Sequence, residues 1–183
     1  DIYTGSTQFP DDTICEDDNA LAITGRLPGG GDEVYKYVWQ STLDSVNWNP
    51  AKPPYTLQSY DPDTLKATRL YRRIVISGSD DVCMDTSNIV TVLVHPAITN
   101  NLITRDTIIC MDDPALKLTQ LTGNPGGGDG SYQYLWESKS QAGSWQSAGK
   151  TDDVRDYDPG YIEDTIMYRR FIISGACEDY SNE

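Results

Sequence analysis

Nearly the whole sequence occurs twice, with its turn residues, aromatics and cysteines in the same order. Asp12-Thr13-Ile14-Cys15 returns as Asp106-Thr107-Ile108-Ile109-Cys110, Gly29-Gly30-Gly31-Asp32 as Gly126-Gly127-Gly128-Asp129, and Tyr35-Lys36-Tyr37-Val38-Trp39 as Tyr132-Gln133-Tyr134-Leu135-Trp136. The register continues through Trp48 and Trp145, Tyr60-Asp61-Pro62 and Tyr157-Asp158-Pro159, Tyr71-Arg72-Arg73 and Tyr168-Arg169-Arg170, to Cys83 with Ser87-Asn88 and Cys177 with Ser181-Asn182. The offsets lie between 94 (177 minus 83) and 97 (136 minus 39). A unit of that length is a domain and not a solenoid repeat, so each copy has to enclose its own core. The expected domains are residues 1–98 and 99–183.

Within a copy the patterns are those of short strands. Tyr35, Tyr37 and Trp39 alternate with Lys36 and Val38, which places the aromatics on one face of a strand. Residues 70–76 and 88–94 are rich in β-branched side chains and flank a turn-forming stretch, so they read as a hairpin. No segment has the period of an amphipathic helix. Strands at intervals of about 8 to 12 residues, broken by Gly, Pro and Asp, predict an antiparallel β-sandwich, and a unit of this size suits a sandwich better than a barrel. The expected fold is therefore all-β, with two tandem Ig-like antiparallel β-sandwich domains. Cys15, Trp39 and Cys83 stand in the immunoglobulin order, but Tyr71 lies 12 residues before Cys83 (83 minus 71), where an immunoglobulin tyrosine corner would lie two before it. Cys83 is accordingly expected in the loop between the last two strands. The second copy stops at Ser181-Asn182-Glu183, where the first continues through residues 89–96, so the second domain is expected to lack its last strand. The plain reading is a window cut from a longer chain. The alternative is strand donation by another subunit.

Composition narrows the functional classes. Against 14 Lys and Arg stand 28 Asp and Glu, a formal charge of −14 in 183 residues, which disfavours polyphosphate and anionic lipid surfaces. No nucleic-acid partner and no membrane insertion are expected, because no apolar run approaches the roughly 20 residues a spanning helix needs. The charge divides evenly between the copies. His95 is the single imidazole, and neither a Gly-x-Ser-x-Gly elbow nor a His-Glu-x-x-His motif occurs, so no catalytic residue is assigned and no enzyme activity is expected. Abundant carboxylates alone leave a two-carboxylate glycosidase as a remote alternative.

Two cysteines per copy at matching positions predict two disulfides within domains, Cys15 to Cys83 and Cys110 to Cys177, on the ground that a bond between copies would break their equivalence. Reduced buried thiols are the alternative. Metal binding is disfavoured because no Cys-x-x-Cys pair occurs. Disulfides together with acidity point to an extracellular setting. Carboxylate pairs follow the first cysteine of each copy, so Asp17, Asp18, Asp112 and Asp113 are candidate calcium ligands, although solvated turn carboxylates are the simpler reading and no other cofactor is expected. The glycine-rich loops lack the Gly-Lys-Ser/Thr ending of a phosphate loop and read as turns. Tyr35, Tyr37, Trp39 and Trp48 form either part of the core or a sugar-stacking platform. One arginine of each Arg-Arg pair is expected to pack on an aromatic or a carboxylate and the other to face solvent.

The Ile-Cys turn, Gly-rich loop, aromatic-x-Tyr-x-Trp strand, second Trp, Tyr-Arg-Arg-x-x-x-Ser-Gly, Cys and Ser-Asn together resemble the Ig-like or PKD-like repeats of large Bacteroidota surface proteins, best known from gliding-motility adhesins exported by type IX secretion. The resemblance runs from about Asp12 to Asn182. It implies a non-catalytic structural and adhesive segment of a long extracellular surface filament, with neighbouring repeats, surface polysaccharide or other surface proteins as partners. It also implies candidate O-glycosylation at Asp-Ser/Thr triplets, with Thr13, Ser45, Thr64, Thr107 and Thr165 as acceptors. A carbohydrate-binding module pair and a subunit of a strand-donating fibre are the alternatives.

Overall fold

The computed structural model describes residues 1–4, 11–79, 81–110, 113–149 and 152–183. All regular structure among them is β, and the chain divides into two compact units, Asp1–His95 and Pro96–Glu183.

In unit 1, β1 (Ile2–Thr4) pairs antiparallel with β3 (Ile23–Gly25), and a bridge from Ile23 to Tyr60 extends this small sheet. The larger sheet is ordered β2 (Asp12–Cys15), β8 (Val90–His95), β6 (Arg69–Ser77), β4 (Tyr35–Thr42) and β5 (Asn49–Pro50), with β7 (Cys83–Thr86) on the far half of β6. All pairings are antiparallel except β2 with β8. Two layers in this order make an Ig-like sandwich. The alternation in β4 decides which face turns inward: Trp39 and Ser41 are buried, whereas Lys36 is exposed. Trp39 stacks on Tyr60 at 5.5 Å, and Tyr60 lies 5.5 Å from Tyr71. The indole N–H of Trp39 donates to the Leu57 carbonyl at 2.8 Å, so the largest buried side chain carries no unpaired polar atom.

The expected hairpin is more elaborate than its residues suggested. β6 turns first into β7, so Cys83 opens a strand opposite Ser77 and does not lie in a loop. Thr86 faces Ile74 and Val90 faces Tyr71, which sets three residues against two and makes a bulge at residues 87–89. The bulge turns Asn88 toward the other sheet, where its Oδ1 accepts from the Ile2 N–H at 2.8 Å and its Nδ2 donates to the Ile2 carbonyl at 2.9 Å. Ser87 Oγ accepts from Arg73 N–H at 2.9 Å. Asn182 and Ser181 repeat this latch on Ile103 and Arg170. Replacing Asn88 or Asn182 by Ala leaves two backbone groups without their partner, and each change is expected to destabilise its own unit by about 1–3 kcal/mol, measured by urea unfolding.

Unit 2 has β9 (Gln133–Ser140), β10 (Gln146–Ser147), β11 (Ile166–Ser174) and β12 (Cys177–Tyr180), in the order β10-β9-β11-β12. Its second layer is held by the bridges Ile103 to Gln120 and Leu118 to Tyr157. Trp136, Tyr157 and Tyr168 rebuild the aromatic stack at 5.7 and 5.8 Å. No counterpart of β8 exists among the described residues. Residues 106–110, which correspond to β2, form no strand either, because β2 is held by β8 in unit 1. An apolar groove of about 450 Å³ runs there, lined by Ile103, Ile109, Leu118, Ile166 and Tyr168.

Candidate functional site

The cysteines do not pair as expected. Cys83 and Cys110 are free and exposed, and the disulfide-bonded cysteines are Cys15 and Cys177. Strand register gives the reason in unit 1. Cys15 lies opposite His95 at the end of β8 that runs past Arg69, while Cys83 lies opposite Ser77. His95 lies three residues beyond the Arg69 pairing, so 11 steps (8 plus 3) separate the two cysteines, about 36 Å along the strand direction. A disulfide needs Cα atoms within about 7 Å. Unit 1 thus carries one cysteine at the pole where β8 ends and one at the opposite, glycine-rich pole.

That second pole is organised around a buried arginine. Arg170 is 0 % exposed in unit 2; its Nε and Nη2 donate to Asn101 Oδ1 at 3.1 and 2.9 Å, its Nη1 to the Arg155 carbonyl at 2.9 Å, and Nη2 also to Gln120 Oε1. Asn101 Nδ2 donates in turn to the Asp179 carbonyl at 3.1 Å. Burial pulls the Arg170 pKa below its ordinary value, yet a guanidinium stays charged, and these oxygens replace the water it has lost. Asn101 belongs to a segment that closes the pole. Thr99 exchanges backbone hydrogen bonds with Gly126 at 2.9 and 3.0 Å, and Gly128 N–H donates to the Pro96 carbonyl at 2.8 Å. A Cβ on Gly127 would stand 2.1 Å from the Ala97 oxygen, at a φ of +85° that already favours glycine. Cys177, fully buried, lies under the same segment with its Sγ 3.4 Å from the Pro96 oxygen.

The matching pole of unit 1 is open. Among the described residues nothing lies within 4 Å of a Cβ built on Gly29 or Gly30, and a pocket of about 200 Å³ is lined by Gly30, Tyr35, Arg73, Cys83 and Ser87. Arg73 is 2 % exposed and donates from Nη1 to the Gln58 carbonyl and from Nη2 to the Arg26 carbonyl, both at 2.7 Å. Its Nε, among the described residues, has no hydrogen-bond partner. Close approach by this guanidinium also fixes Gly25, where a Cβ would meet Nη1 at 1.8 Å.

Asp32 ties the open loop to the sheet. Its carboxylate accepts from Ser77 Oγ at 2.6 Å and from the Val34 and Gly78 N–H groups at 3.1 Å, and the Ser77 bond leads in holding its pKa below the usual value. A folded pKa below the unfolded value of about 3.9 means that this stabilisation is present above about pH 4 and is lost as pH falls through the folded value. The melting temperature of unit 1 is therefore expected to fall below about pH 4, and less steeply in Asp32→Asn.

The other sequence candidates scatter. Trp39 is fully buried, Tyr37 faces Arg73 with its ring centre 5.1 Å from the guanidinium, and Trp48 lies under Arg72 at 4.2 Å, so the four aromatics make no exposed row. Both arginines of each pair pack on aromatics, against the expectation that one would face solvent: Arg169 lies over Trp145 and Tyr180 at 4.3 and 4.0 Å and donates to Glu137 at 2.6 Å. Asp17 pairs with Lys66 at 3.3 Å, and among the described residues no three metal-ligating side chains converge; Asp112 lies outside those residues. Thr13, Ser45, Thr64, Thr107 and Thr165 are all exposed. Sequence reasoning missed Arg73, Arg170 and Asn101 as the organisers of the poles. The repeated Ser-Asn after the second cysteine and the repeated triple glycine were the visible signals.

The model of a domain of unknown function, DUF8696, matches residues 4–96 and again 99–183. The chain belongs to the DUF8696 family. Its two DUF8696 copies coincide with the two sandwiches, so the family unit is one Ig-like domain and this chain is a tandem pair. No curated protein sequence matches the chain. Among solved structures, that of murine CEACAM1b is similar over 100 % of this chain and 96 % of its own, at 15 % identity and a TM-score of 0.41. No helix among the described residues is long and apolar enough to cross a membrane.

Proposed function

We propose that this DUF8696 pair is a non-catalytic structural segment of an extended extracellular surface protein, of the gliding-adhesin kind its motifs resemble, in which each sandwich adds length. The observation that carries the reading is that both copies spend the same residues on the same internal tasks: the Trp-Tyr-Tyr stack, the inward arginine and the Ser-Asn latch are all used to hold a sandwich together and to finish its ends. An Ig-like fold, a disulfide and a charge of −14 suit a secreted array whose like-charged members repel and stay apart. Its partners are neighbouring repeats first, with surface polysaccharide or other surface proteins as the adhesive ligands, and it needs no cofactor and performs no chemistry. Antibodies raised against the folded chain are expected to label intact, unpermeabilised cells of the source organism, and protease shaving of those cells is expected to remove the label. Labelling only after permeabilisation would contradict the proposal.

The five exposed Asp-Ser/Thr acceptors support the same setting. Intact mass of the protein isolated from its source is expected to exceed that of the bare polypeptide, and an equal mass would remove the glycan from the account.

A further inference from the structure

We propose that the glycine-rich pole of unit 1 is the docking site for the closing segment of another copy of this repeat, the counterpart of residues 96–101, and that Cys83 forms a disulfide with that copy's first cysteine. The inference rests on the tandem-array part of the reading above and not on adhesion.

Unit 2 shows what such a pole looks like when closed. Residues 96–101 cover Gly126 to Gly128, hand Asn101 Oδ1 to the arginine Nε and pass over the second cysteine. Every feature that receives this segment exists in unit 1 and, among the described residues, is open there: Gly29 and Gly30 face free space, Arg73 points an unpartnered Nε beside the pocket, and Cys83 is exposed. A buried donor without an acceptor is costly, so an asparagine delivered to Arg73 as Asn101 is delivered to Arg170 favours docking.

Chain direction supplies the sulfur. Cys15 lies opposite His95, the residue before Pro96, and Cys177 lies against Pro96 itself. A segment that leaves one copy beside its first cysteine therefore arrives in the following copy beside that copy's second cysteine. Cys15 and Cys177 are the two bonded cysteines; the free ones, Cys110 and Cys83, are their respective counterparts. Bond formation removes two protons and two electrons from the thiol pair. A disulfide oxidant such as oxidised glutathione accepts them by exchange, leaving as two glutathione thiols.

The test extends the full chain at its N-terminus with a second copy of residues 1–101, so that an added Asn101 directly precedes Asp1. After oxidation with glutathione disulfide, alkylation of Cys83 is expected to be lost, and peptide mapping is expected to find Cys83 bonded to the added copy's Cys15. Cys83 still open to alkylation, or bonded to Cys15 of its own unit, would overturn the proposal. If that extended chain does not fold, a shorter extension decides: residues 96–101 alone placed directly before Asp1 are expected to slow alkylation of Cys83 relative to the unextended chain. Alkylation of Cys83 at the unextended chain's rate would overturn it. Thiol mapping on purified protein is independent of cell-surface labelling, so this inference and the proposed function fail separately.

Discussion

Trp39→Ala is expected to unfold unit 1 and leave unit 2 folded, and Trp136→Ala the reverse, each costing its own unit about 3–5 kcal/mol. Both indoles are 0 % exposed, and each removes from its core the ring that stacks on the central tyrosine together with the N–H that ties a crossing loop, through Leu57 in one unit and Val154 in the other. A domain of this size has only about 5–15 kcal/mol to lose. Because Ile2, Ile14, Ile23, Val90 and Val92 complete the first core and Ile103 and Leu118 belong to the second, neither loss is made good from the other copy. Urea unfolding followed by far-ultraviolet circular dichroism should show one transition moved to lower denaturant and one unmoved. A shift of both by the same amount would mean that the copies share a core.

Arg170→Met is expected to cost unit 2 about 3 kcal/mol, and Arg73→Met clearly less in unit 1. Methionine fills much of the arginine volume but donates nothing. In unit 2 the change strands the Asn101 side-chain oxygen, the Arg155 carbonyl and Gln120 Oε1 inside the protein. In unit 1 it strands two carbonyls and removes an Nε that has no acceptor, which offsets part of the loss. Equal costs in the two units, read from the same denaturation curves, would argue that Asn101 contributes nothing to holding Arg170.

Periodicity made the sandwich legible because the signal lies within single strands. Tyr37 and Trp39 alternate with Lys36 whatever lies across the sheet, and the two copies reinforce one another. Packing between layers was not legible in the same way. The Arg-Arg pair alternates faces as expected, but nothing in its spacing says that the inward guanidinium finds carbonyls of Gln58 and Arg26, which are 15 and 47 residues away. The cysteines misled for a related reason. Equal spacing in two copies does favour a repeated bond, yet a bond from the first cysteine of one copy to the second cysteine of the next repeats just as well. Only the register of β6 with β7 and β8 reveals that the two cysteines of unit 1 lie at opposite poles. Asn101 has no counterpart within this sequence, since Ile2 corresponds to Ile103 through the shared latch, so self-comparison could not mark it.

The central claim is that the chain is two self-contained mechanical modules in series. Its most direct test is to stretch the reduced protein between its ends by single-molecule force spectroscopy. Two separate unfolding events are expected, each releasing about 300 Å of chain for a unit of some 90 residues. One event of twice that length, or extension without any force peak, would contradict it.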